Sequence, residues 1–147
     1  MISHGCVVNG TVVNSILSPG VRVDVGAVVR DSIVMFDSVI RTGAVVDRAI
    51  LDKEVIVGPA AIIGEGTDLT SSPNAVEPGR LNSGITVIGK RAVIPRSVRI
   101  GRNVRVDGDV RATDFPGRLI RSGSTVERRD REARGPDGME VARLSGG

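Results

Sequence analysis

Residues 88–110 read IGKRAVIPRSVRIGRNVRVDGDV, and this stretch decides the fold. Ile88, Ile94, Ile100 and Val106 recur every six residues, and Ala92, Val98, Val104 and Val110 stand four places after them. Gly89, Pro95, Gly101 and Asp107 follow the lead residue each time. A six-residue period is out of phase with the 3.6-residue turn of a helix and too sparse for a hairpin of alternating strands. Each hexad is an aliphatic residue, a small or turn-prone residue, two exposed positions, a small or branched residue and one more exposed position. Three hexads make a triangular coil of about eighteen residues in a parallel β-helix, with the lead side chains stacked inside.

Upstream the same signal runs with a shorter period. An offset of seventeen residues superposes Asn14-Ser15-Ile16-Leu17, Asp31-Ser32-Ile33-Val34 and Arg48-Ala49-Ile50-Leu51. It aligns Gly26-Ala27-Val28-Val29 with Gly43-Ala44-Val45-Val46 and Ala60-Ala61-Ile62-Ile63, and it places Cys6, Val23, Ile40 and Val57 in one column. Seventeen in place of eighteen predicts one corner shortened by a residue. Composition agrees with a narrow prism: there are 24 valines and 13 isoleucines, and Phe36 and Phe115 are the only aromatics among 147 residues. Branching at Cβ suits a pleated surface, whereas frequent Gly and Pro interrupt long helices, so a helical bundle is excluded.

Between the two periodic halves, Glu65 to Gly84 (EGTDLTSSPNAVEPGRLNSG) breaks the repeat with prolines, glycines and a Ser/Thr cluster, and reads as an exposed excursion. After Val110 the hexads lose register through Ala112 to Gly117, and Leu119, Ile120 and Val126 predict a last partial coil. The expected organisation is a β-helix domain over 1–126, with coils over 1–64 and 85–126 around an excursion at 65–84. The charged stretch 127–147 has too few apolar residues to bury and is expected to be disordered.

Several classes of chemistry drop out. One cysteine makes no internal disulfide, and one histidine makes neither a multi-histidine metal site nor the metal centre of a γ-type carbonic anhydrase. No apolar run reaches about eighteen residues and no signal peptide stands at the N-terminus, so no membrane contact and a cytoplasmic location are expected. Net charge is +3, unevenly spread: residues 1–64 carry −1 and residues 85–129 carry +7. A basic half attracts phosphorylated metabolites, nucleic acid or an acidic partner. Without aromatics to stack on bases, the expectation is no nucleic acid. Arg96, Arg99, Arg102, Arg105 and Arg111 recur at spacings that put several on one outer side, as a solvated face or as a contact surface for an acidic partner or a neighbouring subunit.

Residues 3–64 also carry a more specific signature. Ser3-His4-Gly5-Cys6, the Asn14 and Asp31 steps, Ala49-Ile50-Leu51-Asp52-Lys53 and Ile63-Gly64-Glu65 occur in an order that resembles the C-terminal β-helix domain of bacterial glucose-1-phosphate adenylyltransferase, and Ser83 to Ile88 resembles that family's closing segment. The hexapeptide pattern implies a left-handed coil, the rare exception to right-handed parallel crossovers. The resemblance implies a regulatory and oligomerisation domain that packs against a nucleotidyltransferase domain of the same enzyme, helps assemble tetramers and contributes to a sugar-phosphate effector site. The glycine-rich loop of that catalytic domain is absent, so the chain is expected to be a fragment or separately expressed domain. It should hold no catalytic residue and no cofactor, with Mg2+ needed only in the missing domain.

The basic residue after the Ile/Leu-Asp pair binds effector phosphate in such enzymes, and Lys53 stands there. Lys90 and Arg91 match the basic residues after the closing strand. Apart from Arg80, the excursion lacks the arginine-rich stretch with an aromatic seen in many relatives. The alternatives are a stand-alone hexapeptide acyltransferase, for which His4 is the one candidate base, and a non-catalytic assembly module. Cys6 reads as a small core residue.

Overall fold

The computed structural model describes residues 1–129. The chain winds through short strands, three to a coil. The first coil holds β1 (Val7–Val8), β2 (Thr11–Val13) and β3 (Ile16–Leu17); the second holds β4 (Arg22–Val23), β5 (Val28–Arg30) and β6 (Ile33–Val34). The third holds β7 (Val39–Ile40), β8 (Val45–Asp47) and β9 (Ala49–Leu51). The fourth has β10 (Ile56–Val57), β11 (Ile62–Ile63) and, after the excursion, β12 (Thr86–Ile88). The fifth has β13 (Val93–Ile94), β14 (Arg99–Ile100) and β15 (Arg105–Val106), and β16 (Leu119–Ile120) and β17 (Thr125–Val126) close the prism.

All pairing is parallel, in three sheets ordered β1-β4-β7-β10-β13, β2-β5-β8-β11-β14-β16 and β3-β6-β9-β12-β15-β17. We call them the first, second and third sheets. The result is a hexapeptide-repeat left-handed β-helix. The lead residues from Leu17 to Val106 are at most 1% exposed and form one aliphatic stack. Full burial of each contributes about 1.5–3 kcal/mol. The last partial coil is present, with Ile120 and Val126 buried and Phe115 packed on the core beside a 3-10 turn at Ala112–Asp114.

The corners explain the two periods. At a full corner the third residue after the lead takes positive φ, as at Gly20, Asp37, Glu54, Arg91, Ser97, Asn103 and Asp109. Between the second and third sheets the first three coils drop one residue, and the left-handed position moves to Asn14, Asp31 and Arg48 (φ 47–51°). Tightening that corner costs a carbonyl partner, and serine supplies a replacement. Ser15 Oγ accepts from Ser32 N (3.1 Å) and Ser32 Oγ accepts from Ala49 N (3.1 Å). Thr86 continues the series, its Oγ1 donating to Gly101 O and accepting from Val104 N.

The expected seventeen-residue column fails at its first member. Val8, not Cys6, pairs with Val23, whereas Val12 keeps the offset by pairing with Val29. The span from Val8 to Val12 is therefore shorter than any later one. Gly10 permits it, since a Cβ there would collide with the carbonyl oxygens of Ala27 and Asp24. Cys6 sits two places earlier, partly buried against the core, with its thiol donating to Ser18 O.

The excursion is largely exposed but far from loose. Asn74 and Asn103 are fully buried. Asn74 donates to Asn103 O and Ser124 O and accepts from Val76 N and Glu77 N. Asn103 donates to Leu69 O and Ser72 O and accepts from Gly84 N. Of the five arginines expected to recur on one outer side, Arg99, Arg102 and Arg105 stand on the second sheet, the following corner and the third sheet, and are paired. Arg99 meets Glu65, Arg105 meets Glu77 and Asp107, and Arg102, almost fully buried, bonds Asp47 Oδ2 (3.0 Å) and Gly66 O. Much of the acid that balances these arginines belongs to the chain's own excursion. Of the tail expected over 127–147, residues 127–129 are exposed and 130–147 lie outside the described residues.

Candidate anion-binding corner

Lys53 and Lys90 are 37 positions apart in sequence and adjacent in space. Leu51 pairs with Ile88 and Arg91 N donates to Lys53 O (2.9 Å), so the excursion leaves and rejoins without adding a coil. The two lysines occupy one column at the corner between the third and first sheets, about 4.8 Å apart along the axis by strand spacing. Both are exposed, and neither has an ion-pair partner among the described residues.

Arg91, the next residue along the turn, is committed differently. Its Nε donates to Asp109 Oδ1 (2.8 Å), one coil on. That hydrogen bond holds the Asp109 carboxyl below its usual range against an opposing desolvation, with the charges of Arg91, Arg128 and Lys90 assisting, and Arg91 is raised in turn. Asp52 turns its carboxylate onto Lys53 N and Glu54 stands beside Arg91. The corner is therefore mixed in sign, with two free ammonium groups as its unpaired charge. An anion presented there would find both lysines on one edge.

Two further basic residues lie beside it, of which sequence reasoning named Arg111 and missed Arg128. Arg111 and Arg128 line an open cleft of about 570 Å³ with Arg91, Val93 and Asp109. Hexad counting reaches Arg111, which follows Val110 as Val93 follows Ala92, but Arg128 lies past the lost register and gives no periodic signal.

His4 is exposed in the same corner column, at the N-terminal end. Pro19 and Phe36 separate it from Lys53, a distance of about 14 Å at one strand spacing per coil. The structure does not bring it to the lysines. Among the described residues no three His, Cys, Asp or Glu side chains converge to hold a metal ion, and no helix is long and apolar enough to cross a membrane.

The family model described as "GlmU-like, C-terminal hexapeptide" matches residues 1–88. The chain belongs to this family. Relatives of this GlmU-like hexapeptide chain include the glucose-1-phosphate adenylyltransferase of Thermomicrobium roseum, 59% identical over 97 residues, which are 66% of this chain and 22% of that protein. The glucose-1-phosphate adenylyltransferase of Acetivibrio thermocellus is 41% identical over 126 residues, 86% of this chain and 29% of that protein. The hexapeptide chain thus spans between a fifth and a third of the length of these relatives. Among solved structures, the acetyltransferase domain of PglB from Neisseria gonorrhoeae in complex with acetyl coenzyme A superposes with a TM-score of 0.55 at 25% identity, covering 81% of this chain and 51% of that one.

Proposed function

We propose that this chain is the regulatory and assembly β-helix of a glucose-1-phosphate adenylyltransferase-like enzyme, which converts ATP and glucose 1-phosphate to ADP-glucose and diphosphate for cytoplasmic glycogen synthesis. The observation that carries this reading is the 59% identity to a glucose-1-phosphate adenylyltransferase over 97 residues, two thirds of this chain. Catalysis and Mg2+ belong to a nucleotidyltransferase domain of the same enzyme. That domain is the natural cover for the N-terminal end of the prism, where Cys6, Val8 and Val12 are only partly buried. The domain also helps hold the subunits of a homo-oligomer, a tetramer in such enzymes. Lys53 and Lys90 bind the phosphate of a sugar-phosphate effector, and Arg91, anchored by Asp109, shapes the edge of that site.

Two measurements test the reading. An antibody against residues 65–84 should detect, in source-cell extract, a polypeptide more than twice the 15.4 kDa of this chain; a band at the chain's own mass would favour a free-standing assembly module. In the enzyme so identified, Lys53→Gln and Lys90→Gln should each raise the concentration of fructose 1,6-bisphosphate needed for half activation about tenfold, the value of one charge-assisted hydrogen bond. An unchanged response in both would sink the effector site.

The PglB likeness favours a second reading, a hexapeptide acyltransferase. It would use His4 as base, and acetyl-CoA turnover that His4→Ala abolishes would establish it.

A further inference from the structure

We infer that the third sheet is a self-complementary face for a second copy of this chain, joined as an antiparallel two-fold pair in which Asp31 of each copy meets Arg48 of the other. This deepens the assembly part of the proposed function by naming the surface and its symmetry.

The outward positions of β3, β6, β9 and β12 are Ile16, Ile33, Ile50 and Val87, in register on successive coils. Ile16 is 47% exposed and Ile33 37%. The other sheets offer three steps each: Arg22 separates Val7 from Val39, Ile56 and Val93 on the first, and Thr11 and Arg99 bound Val28, Val45 and Ile62 on the second. On the third sheet the aliphatic run stops where Arg105 pairs with Glu77. The shortened corner borders the ladder with a column of Asn14, Asp31, Arg48 and Ile85, and two grooves of about 470 and 260 Å³, both lined by Asp31, Ile33 and Arg48, run along that border. No ion pair joins Asp31 to Arg48 within the chain: Asp31 accepts from Asn14, and Arg48 Nε donates to Ser83 O.

A two-fold axis parallel to the strands and passing between the levels of Ile33 and Ile50 keeps strand direction and reverses the order of coils. It sets Ile16 over Val87 and Ile33 over Ile50, twice each. It also brings Asp31 against Arg48 twice, at the two central levels of the border on either side of the axis, as an isologous contact requires. The opposite border opposes Ser18 to Gly89 and Met35 to Asp52, with no like charges facing. Alternation of one acid and one base about the centre of a four-step apolar ladder is the pattern that such an axis makes complementary.

The test uses charge reversal in this chain, followed by sedimentation. Asp31→Arg makes the border all basic and Arg48→Asp makes it all acidic, so each variant alone should self-associate at least tenfold more weakly than the parent. Mixed one to one, the two variants oppose Arg to Asp at both sites, and association should return to the parent's strength or exceed it. No effect within one chain restores association on mixing. Failure of the mixture to recover, or single variants that associate like the parent, overturns the inference while leaving assembly through another surface intact. A parent chain that stays monomeric at millimolar concentration overturns the inference together with self-assembly of the isolated β-helix. It leaves the effector reading standing.

Discussion

The first three coils and those after the excursion solve the same corner in opposite ways. Between the second and third sheets, the early coils remove a residue and let serine hydroxyls replace the lost carbonyl partner. The fourth coil inserts the excursion there, and the fifth returns to a full hexad around Asn103. The early coils are then held by aliphatic stacking and buried serine hydroxyls. The later ones add a polar clasp of Asn74, Asn103 and Arg102 that ties the excursion to the prism. The difference teaches where the +7 of residues 85–129 goes: Glu65, Glu77 and Asp47 absorb part of it across the fold.

The comparison breaks most forcibly at Asn103. Asn103→Ala strands Gly84 N and the carbonyls of Leu69 and Ser72, and puts a Cβ-bearing residue without a local partner at φ 56°. We expect a loss of about 3–4 kcal/mol in urea unfolding and rapid proteolysis within 65–84. Asn103→Gly, which accepts the left-handed backbone, should recover about 1 kcal/mol of that loss. A variant that stays protease-resistant would show that the clasp does not hold the excursion.

A smaller effect belongs to the early coils. Ser32→Ala removes the acceptor for Ala49 N and the donor to Arg30 O in the buried corner. It should cost about 1–2 kcal/mol and leave the proteolysis of 65–84 unchanged.

The smallest effect is a pH response on the excursion side. Asp109, lowered chiefly by its hydrogen bond from Arg91, and Asp68, lowered chiefly by the Ser71 hydroxyl and then by the Ser71 and Thr70 amides, both titrate below their ordinary value of 3.8 when folded. Their contribution is complete above the unfolded pKa and is lost as pH falls through the folded one. Between pH 6 and pH 3 the thermal midpoint should therefore fall, and fall slightly less in Asp109→Asn. Equal falls would mean that the exposed Arg91 pair adds nothing.

Much of this architecture is legible in sequence because stacking repeats every coil. The lead aliphatics, the shortened corner and the return of Leu119, Ile120 and Val126 all follow from counting. The first-coil register does not, since one glycine, Gly10, removes two residues from a span that no earlier coil calibrates. Nor does the clasp. Asn74 and Asn103 are linked by shape and hydrogen bonding, and no period joins residues inside the excursion to hexads outside it. The lysine pair lies between these cases. Lys53 and Lys90 are named by resemblance, yet their adjacency appears only once the excursion is seen to leave and rejoin one corner.

That return to its own point of departure makes the excursion a parenthesis in the chain. The register of every later coil ignores its length, whereas one residue lost from within a strand would turn the rest of that strand's side chains to the opposite face. Closing a flexible loop twice as long would cost only about 0.6 kcal/mol more. This corner is therefore the place where descendants of the sequence can lengthen, shorten or rewrite a segment and still set two distant lysines side by side.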